Sequence, residues 1–247
     1  MHAPATAWVD ERHRSLYPLS FPTLQVDPDV FEPTEGSFLI WKHLFQTGAG
    51  AGRRCLDVGC GCGILAIQLA INGAEPVETI DISRDAVANT MANAYRNEVE
   101  KQITARADDL YTFTADATYD LIVASLYQMP VDPYAQTGGH RPQDYWGRNL
   151  VDHLITLLPR LLSPDGIAYV MQLSILGQLR TAEPVEESGL HARVVDFDTF
   201  SFSSVFTENL DQIKRVEQLS DAYHLKLGRQ DVMVAYLLEI RRGTSNG

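Results

Sequence analysis

The chain has 247 residues, 45% of them hydrophobic, and carries a formal net charge of −12 at pH 7. That is enough chain for one large domain with a sizeable core, and no apolar run approaches the roughly 20 residues that span a bilayer. A negative field repels phosphate backbones and Met1 to Asp10 lacks the basic-then-apolar pattern of a secretory leader, so the expected setting is cytoplasmic, with no nucleic-acid and no membrane partner.

Residues 1–30 are rich in Pro, Asp and polar residues and read as an arm or partial cap. From Glu35 to Phe45 the run Phe38, Leu39, Ile40, Trp41, Leu44, Phe45 predicts an amphipathic helix, ended by Gly48 to Gly52. The period then changes. Arg54 to Val58 predicts a strand, Ile64 to Ile71 a helix closed by Gly73, and Val77 to Asp81 the next strand. Ser83 is placed to cap a helix running to about Asn97, with Asp85 in its first turn. Ile103 to Ala107 and the continuous apolar run Tyr119 to Ala124 predict two more strands of a covered parallel sheet.

After a loop from Ser125 to Gly147, the residues Leu150, Val151, Leu154, Ile155, Leu158 and Leu161 recur at helical spacing. Ser163-Pro164-Asp165-Gly166 predicts a turn, and Ile167 to Leu173 a fifth strand. Val194 to Phe202 and Val232 to Ile240 predict two last strands flanking a polar, helical stretch, Glu208 to Tyr223. Alternating strands and helices predict an α/β fold, Rossmann-like and doubly wound, its mostly parallel sheet ending in an antiparallel terminal strand. The expected division is an arm and cap helix over 1–50 and a catalytic domain over 51–247, with an insertion at about 203–229.

The informative segment is Leu56-Asp57-Val58-Gly59-Cys60-Gly61-Cys62-Gly63-Ile64-Leu65. Glycines at a strand-to-helix turn let backbone approach a ligand closely. A dinucleotide site spaces its glycines Gly-x-Gly-x-x-Gly and offers a helix N-terminus to pyrophosphate. Here the third glycine comes one residue early, and Asp57 opposes a phosphate while suiting a cation. S-adenosylmethionine carries an α-ammonium and a sulfonium and has no phosphate, so it is the expected cofactor, with Asp57 receiving the ammonium directly or through water. Asp81, at the end of the second strand, suits the ribose hydroxyls. Asp109 suits the adenine amino group, with Asp108 as the neighbouring alternative. Gly59, Gly61, Gly63, Ile82, Leu110, Ala124 and Ser125 complete the expected cofactor wall. The three cysteines, Cys55, Cys60 and Cys62, lie too close together for a disulfide framework or a zinc site, so no metal is expected.

At these residues the chain resembles the class I S-adenosylmethionine-dependent methyltransferases. Ala86, Asn93-Ala94 and Asn97 resemble the helix of the small-domain group, which includes glutamine, ribosomal-protein and RNA-base methyltransferases. Val30-Phe31-Glu32-Pro33-Thr34-Glu35-Gly36-Ser37-Phe38-Leu39 resembles the cofactor-covering segment of the eukaryotic and archaeal glutamine enzymes. That resemblance, spanning roughly residues 28 to 173, implies that Thr34 and Glu35 lie near the methionyl end of the cofactor. It also exposes a departure. The glutamine and base enzymes follow the fourth strand with Asn-Pro-Pro-Tyr, which reads the two hydrogens of a planar amino group. This chain has Ser125-Leu126-Tyr127-Gln128-Met129-Pro130.

Methyl transfer needs alignment and water exclusion, and a base only where the nucleophile arrives protonated. Ser125, Tyr127, His140 and Tyr145 are the candidate catalytic residues, with Asp144 beside them; a tyrosine face also attracts a sulfonium. The loss of the amide motif and the acidic surface lead to the expectation of a small-molecule acceptor, N- or O-methylated by a monomer or homodimer. Three alternatives stand beside it. They are a cyclising lyase that forms azetidine-2-carboxylate and methylthioadenosine, a protein or RNA methyltransferase with an altered acceptor motif, and a cofactor-sensing module.

Overall fold

The computed structural model describes residues 21–132, 134 and 144–243. The fold is α/β and Rossmann-like, and the chain divides into two units, Met1–Ala124 and Ser125–Gly247. Among the described residues no helix is long and apolar enough to cross a membrane.

In the first unit, helix α1 (Glu35–Thr47) buries Leu39, Ile40, Trp41, Leu44 and Phe45 and ends where Gly48, at φ 64°, donates its N–H to the Leu44 carbonyl. Strand β1 (Cys55–Val58) is buried throughout, and α2 (Ile64–Ile71) is buried at every residue but its last. A helix apolar on all sides belongs inside a protein. Its single polar side chain, Gln68, accepts from the Trp41 indole at 2.8 Å and donates to Asn72 at 2.8 Å. Asn72 in turn donates to the carbonyls of Leu44 and Ala49. The α1–α2 packing is thus closed by a satisfied polar chain.

Strand β2 (Val77–Asp81) leads to α3 (Arg84–Arg96), whose first turn is capped as expected: the Ala86 N–H donates to the Ser83 hydroxyl at 3.3 Å. Strands β3 (Ile103–Ala107) and β4 (Tyr119–Ala124) follow. All the pairings here are parallel, in the order β3-β2-β1-β4. The chain therefore steps outward from β1 through β2 to β3, then returns to the other side of β1.

The second unit contains α4 (Asn149–Leu161), β5 (Leu162–Leu173), α5 (Leu179–Glu187), β6 (Leu190–Ser201), α6 (Ser204–Glu208), α7 (Leu210–Leu219), β7 (Leu225–Leu227) and β8 (Gln230–Arg242). Strand β8 runs antiparallel to β5, β6 and β7. Helix α4 buries Val151, Leu154, Ile155, Leu158 and Leu161 of the predicted face together with Leu157, which was not predicted, while Leu150 is half-buried. Two expectations are corrected. Residues 163–166 extend β5 instead of forming a turn, because this segment leaves α4 directly in extended conformation at Leu162. Helix α5 went unpredicted because Pro184 interrupts its pattern; its first N–H groups are capped from a distance, Gln178 and Leu179 donating to Asp221 at 2.7 and 2.9 Å.

Candidate functional site

A sheet whose order reverses beside β1 leaves a crevice at the carboxyl ends of β1 and β4, where ligands bind in open α/β sheets. Val58 pairs with Ile80 and Ala124, and Asp81 with Ala107, so these strand ends share one edge. The loop leaving β1 is tied to the neighbouring strand: the N–H groups of Gly59 and Cys60 donate to the Ile80 carbonyl at 2.9 and 3.1 Å. Gly59, Gly61 and Gly63 have φ of 81°, 53° and 89°, in the left-handed region that favours glycine. A Cβ at Gly63 would also lie 3.0 Å from the Thr90 methyl, so this position is closed to side chains twice over.

Asp57 sits on β1 beneath this loop with 0% exposure, and neither carboxylate oxygen has a hydrogen-bond partner. Its pKa is raised to about 7, chiefly by burial and in smaller part by the Asp81 charge. The Ala66 N–H and Thr79 hydroxyl pull it partly back, though neither meets hydrogen-bond geometry with the carboxylate. An unpaired carboxylate in such a place is costly unless something positive compensates it.

Asp81 is half-buried and already organised. Its two oxygens accept from Gly61 N at 3.0 Å and Ser83 N at 2.9 Å, locking the side chain while leaving a second lone pair on each oxygen. The Asp108 N–H donates to the Asp81 carbonyl, and the Asp108 carboxylate accepts from Asp109 N at 2.9 Å. Asp109 accepts from Tyr111 N at 2.9 Å, holding the turn after β3. Ile82 leaves its apolar side chain 75% exposed beside Asp81, whereas Leu110 is buried.

The structure thus brings Asp57, the three glycines, Asp81, Asp108 and Ala124 to one edge. Thr34 and Glu35 open α1 with exposed side chains. The upstream residue that meets the loop is Phe31, whose carbonyl would lie 3.6 Å from a Cβ on Gly61. Sequence reasoning missed this contact, as it missed the hydrogen bonds from α3 to the loop: Thr90 to the Gly61 carbonyl at 3.0 Å and Asn93 to the Cys62 carbonyl at 2.9 Å. Their only signal was polar residues on the buried face of a helix.

In the second unit Ser125 and Tyr127 are half-buried. Gln128, in the segment that stands in place of Asn-Pro-Pro-Tyr, is buried: its carboxamide donates to the Met171 carbonyl at 2.7 Å and accepts from Leu173 N at 2.8 Å, against β5. Asp144 likewise is a cap, accepting from Trp146 N at 3.1 Å and Asn149 N at 2.7 Å. Tyr145 is half-buried, edge-on to Trp146 at 5.2 Å, and its carbonyl accepts from Gln212 at 2.9 Å. His140 lies outside the described residues.

Residues 34–136 match the sequence family described as Ribosomal protein L11 methyltransferase (PrmA). A protein of Methanocaldococcus jannaschii named protein N5-glutamine methyltransferase is 27% identical over 177 residues, covering 69% of this chain and 86% of that one. The human methyltransferase HEMK2 is 33% identical over 156 residues, covering 59% of this chain and 72% of its own. A ribosomal protein L11 methylase structure from Lactobacillus delbrueckii subsp. bulgaricus superposes with a TM-score of 0.56 at 19% identity, covering 89% of this chain and 84% of that one. These findings overturn the small-molecule acceptor and small-molecule partner expected above, since the relatives named for a substrate are named for proteins.

The cofactor of such enzymes is S-adenosylmethionine, and the residues present fit it. The fit rests on Asp57, an unpartnered buried carboxylate under a glycine loop, which a cationic nucleoside compensates and a phosphate does not.

Proposed function

We propose, on the premise that the chain belongs to the class I S-adenosylmethionine-dependent methyltransferases, that it methylates a side chain of a protein. The observation that carries this reading is the match to a protein N5-glutamine methyltransferase over 86% of that protein's length. The net charge of −12 opposes a nucleic-acid substrate and favours a basic protein. The missing Asn-Pro-Pro-Tyr removes one way of reading a planar amide; it does not remove access for a polypeptide. With Gln128 committed to β5, the acceptor is a side chain recognised without the two-hydrogen amide readout, and Ser125 and Tyr127 are the residues we assign to it.

When bound, S-adenosylmethionine supplies an electrophilic methyl group on a sulfonium. Asp57, ionised, acts as the buried counter-charge to the cationic end. Asp81 accepts the ribose hydroxyls on its remaining lone pairs, and Asp109 or Asp108 accepts the adenine amino group. The glycine loop allows close approach and keeps water out. The chain contributes alignment, which in favourable intramolecular cases accounts for about 7–11 kcal/mol of a barrier.

The test is incubation with methyl-tritiated S-adenosylmethionine and a ribosomal-protein fraction, with a glutamine peptide as a separate arm. We expect S-adenosylhomocysteine and label in protein, mapped by mass spectrometry to a side chain. Label confined to small molecules, or methylthioadenosine as the sulfur product, would refute the reading.

A further inference from the structure

Helix α3 grips two backbones at once. Asn97 exchanges a pair of hydrogen bonds with Thr23: the Thr23 N–H donates to Asn97 Oδ1 at 2.9 Å, and Asn97 Nδ2 donates to the Thr23 carbonyl at 2.8 Å. One helical turn earlier Asn93 does the same with Gln25, both bonds at 2.9 Å. The pairs match because four helical residues rise about 6 Å and two extended residues about 6.6 Å. Each carboxamide thus behaves like a piece of partner strand for the extended segment at residues 23–25.

Within α3, Asn97 Nδ2 also donates to the Asn93 carbonyl at 2.8 Å and Arg96 Nη1 donates to Asn93 Oδ1 at 3.2 Å, but Asn93 reaches further. Its Nδ2 also donates to the Cys62 carbonyl, inside the glycine loop, at 2.9 Å. An amide nitrogen has two hydrogens, so one goes to Gln25 and the other to the loop. Asn93 is 0% exposed, so in the folded chain both partners of its amide nitrogen are protein carbonyls. Six residues beyond Gln25, the Phe31 carbonyl lies over Gly61. The upstream segment and the loop are therefore two halves of one hydrogen-bonded arrangement centred on a single side chain.

We propose that Asn93 is a positioning residue through which the seating of residues 21–27 sets the shape of the glycine loop, so that this segment contributes to cofactor affinity by way of Asn93. If Gln25 leaves, Asn93 loses two of the bonds that orient its carboxamide and keeps Arg96 on its oxygen, so the Cys62 carbonyl has a less firmly held donor. The inference rests on the assignment of the cofactor to the Gly59–Gly63 loop and not on the identity of the acceptor.

The test is calorimetric titration of the full chain with S-adenosylhomocysteine. Gln25→Ala, which removes only the Gln25 Oε1 bond to Arg96, is the control; Gln25→Pro removes that bond and also the N–H that Asn93 accepts. Gln25→Pro should weaken binding roughly five- to tenfold, within the range of coupling energies for residues in one hydrogen-bond network. Asn97→Ala, which removes the Thr23 pair and a bond to the Asn93 backbone but leaves the Asn93 carboxamide its partners, should weaken it less. In an Asn93→Ala background the Gln25→Pro effect should vanish. For Gln25→Pro, kcat at saturating cofactor should stay within about twofold while KM for the cofactor rises. Affinity within twofold of wild type in Gln25→Pro would overturn the proposal, as would effects that multiply in the double variant. Should Asn93→Ala not fold, the ranking of Gln25→Pro above Asn97→Ala carries the test. Asp81→Ala separates the coupling from the site: retained affinity there overturns both.

Discussion

Replacing Asp57 by Asn should make the protein without cofactor more stable and its cofactor affinity lower, and the two effects should share one pH dependence. The carboxyl pKa is raised from an ordinary 3.8 to about 7, chiefly by burial. A carboxyl whose folded pKa is raised holds its proton in the native state between those values. Folding stability therefore falls as pH climbs from about 4 to 7, and the full cost is present above 7. At 1.36 kcal/mol per pH unit the cost of the buried charge is about 4 kcal/mol. An Asn carboxamide removes it but brings its own unpaired donor, worth about 1–3 kcal/mol, so the net gain at pH 8 is about 1–3 kcal/mol. At roughly 2–4 °C per kcal/mol for a chain of this size, Tm rises by about 2–12 °C. At pH 5 the wild-type carboxyl is protonated and the difference shrinks toward zero. Affinity for S-adenosylhomocysteine should run the other way in the wild type, falling about tenfold from pH 8 to pH 6 as the counter-charge is titrated, with the slope lost in Asp57→Asn. Scanning calorimetry and isothermal titration across pH 5–8.5 provide both readouts. A variant less stable than wild type at pH 8, or one that keeps the wild-type pH slope of affinity, would refute the argument that Asp57 is an uncompensated buried charge serving a cation.

Asp81→Ala should weaken cofactor binding at least about 100-fold by calorimetry, from two charge-assisted hydrogen bonds of about 1.5–3 kcal/mol each. Gly147→Ala should lower stability by about 3 kcal/mol or more in urea titration: φ is +72° and the new Cβ would stand 2.3 Å from Pro130 N, so backbone has to move. Arg148→Met should cost about 3–5 kcal/mol. The guanidinium is 2% exposed and donates to the carbonyls of Leu176 and Gly177 and to Thr181, all of which lose a partner together.

The geometry of the candidate cofactor edge was legible because its parts are close in sequence and each has one physical meaning there. Asp57, the glycines and Asp81 belong to a single strand-helix-strand crossover, Ser83 caps the helix just after it, and the apolar run of β4 left no choice but a covered strand. The acceptor was misread for the opposite reason. A missing Asn-Pro-Pro-Tyr says what a segment does not recognise, and the net charge of −12 says what it repels; neither distinguishes a metabolite from a polypeptide. Asp144 looked available because its partners, Trp146 N and Asn149 N at the start of α4, are set by packing.

From its residues alone, this protein is an α/β cofactor-binding chain with a carboxylate-and-glycine turn after its first strand, since spacing, periodicity and charge act over a few residues and need no knowledge of the whole. Only the tertiary structure decided that Asp57 is left without a partner, that Asn93 joins residue 25 to residue 62, and that Asp221 caps a helix starting 42 residues before it. Those facts depend on which polar groups meet after burial, and a hydrogen bond between distant residues has no periodicity for a sequence to display.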